Sequence, residues 1–304
     1  MLQVAAGTFA LLILVSALVV LRLRRDLEPE IQARRGFVDS VQVSGEVRGG
    51  GVLRYLVTIR STSGLAVDLA ILRPISGCHP LAILIGGHET GRDAIGLLQD
   101  TRGVAVAALS YPYRGSSHPK GLAFVGSVPA IQQGIRDTPA AILLALDWLA
   151  AEPWVDPHRI DLVGVSLGAP FACVAGALDP RFERVWSIHG AADPRLLIEH
   201  SLRRKVPSDC LRSMASSLAS LLAYGDRLAP EKWVARIAPR PFLMVNASDD
   251  ERLPRAAVLS LYESAREPKE LHWTEGGHVR PRKAEVIAGL VDLVLARIAG
   301  PDPR

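Results

Sequence analysis

Short apolar runs alternate with longer segments of helical spacing along most of the chain. Val52–Arg60 and Ala66–Arg73 are rich in β-branched residues and leucine, and the turn-like Ser61-Thr62-Ser63-Gly64 separates them. This pattern predicts an antiparallel strand pair. Leu81–Ile85, Val104–Leu109, Ile160–Val165, Val185–Ile188, Phe242–Val245 and Glu270–Trp273 are short and mostly apolar throughout. Strands of that kind are buried on both faces, as in a parallel sheet covered by helices. Between them, Asp137-Thr138-Pro139 reads as a helix start followed by Ile142, Leu146 and Leu149 at helical spacing, with Pro153 as the stop. Leu167–Leu178 forms a small-residue helix ended by Asp179-Pro180, and Val286, Leu290 and Leu293 mark an amphipathic helix closed by Gly300-Pro301. The alternation predicts one α/β domain with a mostly parallel central sheet and helices on both faces.

Two segments depart from this pattern. Asp193 to Trp233 holds many leucines and no strand, which predicts a helical insertion over one end of the sheet, after the sixth of the predicted strands. It reads equally as a lid or as ordinary packing helices. Met1–Leu21 has no charged side chain, and 17 of its 21 residues are apolar. Val4–Leu21 would span about 27 Å as a helix, close to a bilayer core of about 30 Å. The basic residues follow it (Arg22, Arg24, Arg25, Arg34, Arg35) rather than precede it. That order favours a membrane anchor over a cleaved signal peptide or a buried core helix. The basic flank places the following domain on the cytoplasmic side. Residues 1–23 are therefore read as a transmembrane anchor, 24–36 as a polar linker and 37–300 as the α/β domain, with 190–235 as the insertion.

Composition narrows the class. Apolar residues make up 49% and charged residues 22% of the 304, which excludes disorder. The 35 Lys+Arg against 31 Asp+Glu leave +4, too small an excess to point to nucleic acid. Cys78, Cys173 and Cys210 are widely spaced and suggest neither a zinc site nor a disulfide framework.

Gly164-Val165-Ser166-Leu167-Gly168 carries the most chemical information. It fits G-x-S-x-G, with a predicted strand leading in and a helix leading out. That context places Ser166 on a sharp turn at the end of the sheet, where the flanking positions must be small. A serine nucleophile needs a base, and the base needs a carboxylate to hold its tautomer. Both are expected later in the chain, each just past a strand. Asp249 and Asp250 follow Phe242–Val245 and compete for the acid. His278 follows Glu270–Trp273 in the loop Thr274-Glu275-Gly276-Gly277 and is the expected base. His272 is read as packing within the sheet, and His79, His88, His118, His158, His189 and His200 mostly as surface or loop residues. Oxyanion donors are expected from the backbone N–H groups of Leu167, at the helix start, and His88 (or Gly87), in the loop after Leu81–Ile85.

The order of the Gly86-Gly87-His88 loop, the Ser166 elbow, the acid loop and His278 resembles the α/β-hydrolase superfamily. Asp156-Pro157-His158-Arg159-Ile160 before the elbow and Ile237-Ala238-Pro239-Arg240-Pro241-Phe242 before the acid strand resemble its branch of dienelactone hydrolases, acetyl-xylan-type esterases and prolyl-oligopeptidase-like enzymes. The likeness spans roughly residues 52–299. Members often carry Asp four residues before Pro at the acid loop; Asp250 and Pro254 match, and Asp249 does not. The chain departs in having Gly86-Gly87 where many members have His-Gly, and Ala169 where many have glycine. Arg114, in Tyr111-Pro112-Tyr113-Arg114-Gly115, stands in a stretch like a pocket-edge loop of the family and is read as a surface residue. The resemblance implies a serine hydrolase of carboxylic esters or thioesters that uses Ser166, Asp250 and His278 and needs no cofactor or metal. A small-molecule or lipid ester is the expected substrate and the membrane the expected partner, with no nucleic acid. Acyl transfer to a lipid or other acceptor, or an inactive binding module on the same fold, are the alternatives.

Overall fold

A computed structural model describes residues 26–300 except 88, 89, 99, 114, 116–121 and 280–283; of residues 122, 124, 125, 284 and 285 it describes the backbone only. The expected anchor at Val4–Leu21, the donor His88 and Arg114 lie outside the described residues. Among the described residues, no helix is long and apolar enough to cross a membrane.

Nine strands form one sheet: β1 Val38–Gly49, β2 Val52–Ser61, β3 Ala66–Pro74, β4 His79–Ile85, β5 Ala105–Leu109, β6 Val155–Val165, β7 Arg184–Ile188, β8 Phe242–Ala247 and β9 Lys269–Thr274. Their order is β1-β2-β3-β5-β4-β6-β7-β8-β9. The first three strands run antiparallel, and β5 through β9 pair in parallel. β5, β7 and β8 are buried at every position, which is why they read as continuous apolar runs. β1, by contrast, is exposed at nearly every position. Its valines are few and interrupted by polar residues and Gly45, and the sequence reading omits it. The insertion accordingly follows the seventh strand and not the sixth.

The helices are α1 Glu28–Arg35, α2 Leu122–Leu149, α3 Gly168–Leu178, α4 Pro194–Leu202, α5 Asp209–Leu222, α6 Pro230–Trp233, α7 Arg255–Ser264 and α8 Ala284–Ala299. Two cores flank the sheet. Leu81, Ile83, Leu109 and Leu162 point to one face and pack with α2, α3 and α7. Ala82, Val106, Ala108 and Val163 point to the other and pack with α8 and a 3-10 helix, Gly91–Leu97. The insertion is helical, as expected. Its α5 buries Ser216 and Ser220 and turns Leu211, Met214 and Leu218 to solvent.

Two local expectations are corrected. The stretch read as a polar linker contains α1, which buries Leu27 and Ile31 in the first core. Arg34 fixes it to α2: Nε donates to Asp137 Oδ1 at 2.8 Å and Nη2 to Oδ2 at 2.7 Å. Asp137 is thus an ion-pair partner inside α2 and not the start of a helix. The helix begins at Leu122 and carries Pro129 and Pro139 within it. Pro139 brings no N–H to its turn, and the Thr138 hydroxyl bonds the Gly134 carbonyl at 2.7 Å.

A second ion pair lies deeper. Arg184 at the start of β7 donates through Nε to both oxygens of Asp161 on β6, at 3.2 and 3.0 Å, and Trp186 Nε1 donates to Asp161 at 2.6 Å. Both charged side chains are almost fully buried. Removing one partner strands the other in a low-dielectric interior. Asp161→Ala is therefore expected to lower the unfolding free energy by about 3–5 kcal/mol. Urea unfolding measures this, and a change below about 1 kcal/mol would contradict the pairing.

Candidate active site

The parallel strands deliver their following loops to one edge, where open α/β sheets bind ligands. β6 leads into Ser166, β7 into His189, β8 into Asp250 and β9 into His278. Backbone bonds stitch these loops together. Ser166 N–H donates to Ile188 O at 2.8 Å, His189 N–H to Val245 O at 2.7 Å, and Ser248 N–H to Thr274 O at 2.8 Å.

Ser166 has φ +53°, a left-handed conformation that L-residues rarely hold. The turn permits it because the residues two before and two after it, Gly164 and Gly168, have no side chains. A Cβ on Gly164 would lie 2.7 Å from Gly168 O, and one on Gly168 would overlap the Ile85 carbonyl. Leu167 forms the N-cap of α3, in the position expected for an oxyanion donor, and its side chain is exposed.

The three expected side chains converge. Ser166 Oγ lies 2.8 Å from His278 Nε2, and His278 Nδ1 lies 2.8 Å from Asp250 Oδ2. His278 is buried, and its backbone N–H donates to Glu251 Oε2 at 3.0 Å. Asp249 stays at the surface, where it accepts from the Ser248 hydroxyl. His272 is exposed on β9 rather than packed within the sheet.

His189, read from sequence as a surface or loop residue, is fully buried beside them. Its Nδ1 lies 3.1 Å from Asp250 Oδ2, and its ring meets that of His278 edge-on at 5.1 Å. The signal was available: His189 directly follows the apolar run Val185–Ile188, at the same strand edge as Ser166. The other Asp250 oxygen, Oδ1, accepts from the N–H groups of Arg252 and Leu253 at 2.9 and 3.1 Å. Burial by itself raises the Asp250 pKa. The hydrogen bonds from His189 and His278, with the charge of His278 and the backbone donors, outweigh it and hold the carboxyl well below the usual carboxylate range. His189, Asp250 and His278 also bring potential metal-ligand atoms within 4.8 Å of one another. Both ring Nδ1 atoms already face the same carboxylate oxygen, so a cation there would displace the bonds that orient His278.

Ser166 also borders a cavity of about 570 Å³ that runs between the sheet, the 3-10 helix and α8.

No protein-family model matches the chain. Over 176 residues it is 27% identical to the uncharacterized protein YfhR of Salmonella typhi, covering 56% of this chain and 53% of that protein. The chain thus spans about half the length of the curated relatives it matches. Among solved structures it is similar to the acetyl xylan esterase from Paenibacillus sp. R4, with a TM-score of 0.60 and 20% identity over 88% of this chain and 92% of that one. It is also similar to the alpha/beta hydrolase GrgF from Penicillium sp. sh18, with a TM-score of 0.56 and 18% identity over 80% of this chain and 98% of that one. The chain has the α/β-hydrolase fold.

Two expectations follow from the site. Gly168→Ala forces its methyl into the Ile85 carbonyl, so unfolding free energy should fall by about 1–3 kcal/mol. The lower Asp250 pKa sets a pH signature. Ionised Asp250 favours the folded state, so its contribution is full above about pH 4, the pKa of an unfolded aspartate, and is lost as pH falls through the lower folded value. The stability gap between wild type and Asp250→Asn in urea should therefore narrow below about pH 4; a gap that widens would contradict the assignment.

Proposed function

We propose that this protein is a serine hydrolase that cleaves a carboxylic ester or thioester through an acyl-enzyme on Ser166. The observation that carries the reading is the continuous Ser166–His278–Asp250 hydrogen-bond chain, 2.8 Å at each link. The esterase activity of the structurally similar Paenibacillus enzyme points to the same chemistry.

In this reading His278 Nε2 takes the Ser166 proton as Oγ forms a bond to the carbonyl carbon. Asp250 stabilises the resulting imidazolium and fixes its tautomer through Nδ1–H. The backbone N–H of Leu167, at the positive end of α3, faces the negative charge that develops on the carbonyl oxygen, with a second donor from the Gly87-His88 loop. The carbon–oxygen (or carbon–sulfur) bond then breaks, and His278 gives its proton to the departing alcohol or thiol. Water adds to the acyl-enzyme by the same route in reverse order. It yields the free acid and restores the Ser166 hydroxyl.

Kinetics test the assignment. Ser166→Ala should abolish turnover of p-nitrophenyl esters. Asp250→Asn should lower kcat by about 10⁴-fold while leaving the fold intact. Full turnover by the Ser166→Ala protein would refute the role given to this serine.

We also infer that Val4–Leu21 tethers the domain to a membrane, with the domain on the cytoplasmic side. The support is its run of 18 uncharged residues and the Arg22, Arg24 and Arg25 flank. The full chain should sediment with membranes after alkaline washing, and a chain lacking residues 1–25 should not. Equal release of both would refute the tether.

A further inference from the structure

The cavity beside Ser166 is almost wholly apolar. Among its described lining residues, polar side chains come only from Ser166, Thr90 and Arg252. It exists because the two faces of the sheet differ. The first face carries Leu81, Ile83, Ile85 and Leu162, which fill their space against α2 and α3. On the second face β4, β5 and β6 carry Leu84, nearer Gly86, and the smaller Ala82, Val106 and Val163. These smaller side chains stop short of Leu290 and Val294 on α8, and the gap between them opens at the nucleophile.

Its depth follows from the strands. The lining runs from Gly86 back to Ala82 along β4 and from Ser166 back to Val163 along β6. At about 3.3 Å per residue, the four steps from Gly86 to Ala82 make a slot of roughly 13 Å. An extended chain advances about 1.2 Å per backbone bond, so the slot takes about ten carbons.

We propose that this cavity is the acyl-chain site, and that the preferred substrates are esters of unbranched medium-chain fatty acids. The inference rests on Ser166 as the residue that becomes acylated. Once the carbonyl carbon is bonded to Oγ, this slot is an apolar volume that directly borders the serine. The alkyl chain lies down it against Val163 and Ala82, while the alcohol leaves on the solvent side. An acetyl group would leave most of the slot unfilled and gain nothing from it.

The test uses the wild-type full chain with p-nitrophenyl acetate, butyrate, octanoate and decanoate, and the Ser166→Ala protein with sodium decanoate and acetate in a calorimeter. Burying each methylene should raise kcat/KM by about threefold to fourfold, so over the eight methylenes that separate them decanoate should exceed acetate by about 10⁴-fold. Ser166→Ala should bind decanoate and not acetate. Ala94→Phe, which places a ring into the slot from the 3-10 helix, should lower the decanoate-to-acetate ratio of kcat/KM at least about tenfold. If that variant does not fold, the first two measurements decide. A wild type that prefers acetate, or a Ser166→Ala protein that does not bind decanoate, overturns the acyl-chain site and leaves the hydrolase reading standing. A wild type that turns over no ester, with decanoate still bound by Ser166→Ala, overturns the hydrolase reading and keeps the slot as a fatty-acid site.

Discussion

The site depends on the parallel register of four adjacent strands, β6 to β9. Parallel pairing sends every following loop to one edge, and the bonds Ser166 N–H to Ile188 O, His189 N–H to Val245 O and Ser248 N–H to Thr274 O lock those loops at fixed offsets. Residues 112 positions apart in sequence meet at 2.8 Å for this reason. A one-residue slip between strands would exchange inward and outward side chains and separate them. The buried Asp161–Arg184 pair sits at the opposite end of the same β6–β7 ladder, so both ends of that ladder are held by polar contacts.

Within this frame, Asp250 sets the electrostatics. It is buried, and each of its oxygens has two donors facing it: two imidazoles on one, two backbone N–H groups on the other. A carboxylate so surrounded stays ionised although it is out of water. Its charge then favours the tautomer of His278 that leaves Nε2 free to accept from Ser166. His189 adds a second contact to the same oxygen and a ring edge against His278, which limits how far either can rotate.

Much of this was legible in the sequence because it rests on local rules. The buried strands gave themselves away as unbroken apolar runs, and the elbow through two glycines around a serine between a strand and a helix. His278 and an acid at Asp249 or Asp250 followed from chain order, and the family resemblance at Pro254 selected Asp250. What escaped had a weak local signature or none. β1 carries only scattered valines and is exposed at nearly every position. The helix start at Asp137 looked well capped, but that aspartate is claimed by Arg34 from 103 residues away. His189 was one histidine among several until the register put it against Asp250. The slot depends on which face of the sheet carries alanine and valine, and that becomes meaningful only once the opposing helix is in place.

At 20% identity, the likeness to an acetyl xylan esterase is one of fold. The central claim is more basic: one serine is activated by one histidine. Reaction with diisopropyl fluorophosphonate followed by peptide mass mapping tests it most directly. The account predicts a single stoichiometric adduct on the peptide that contains Ser166, formed far more slowly in His278→Ala. An adduct on another serine, or one formed at an unchanged rate without His278, would contradict it.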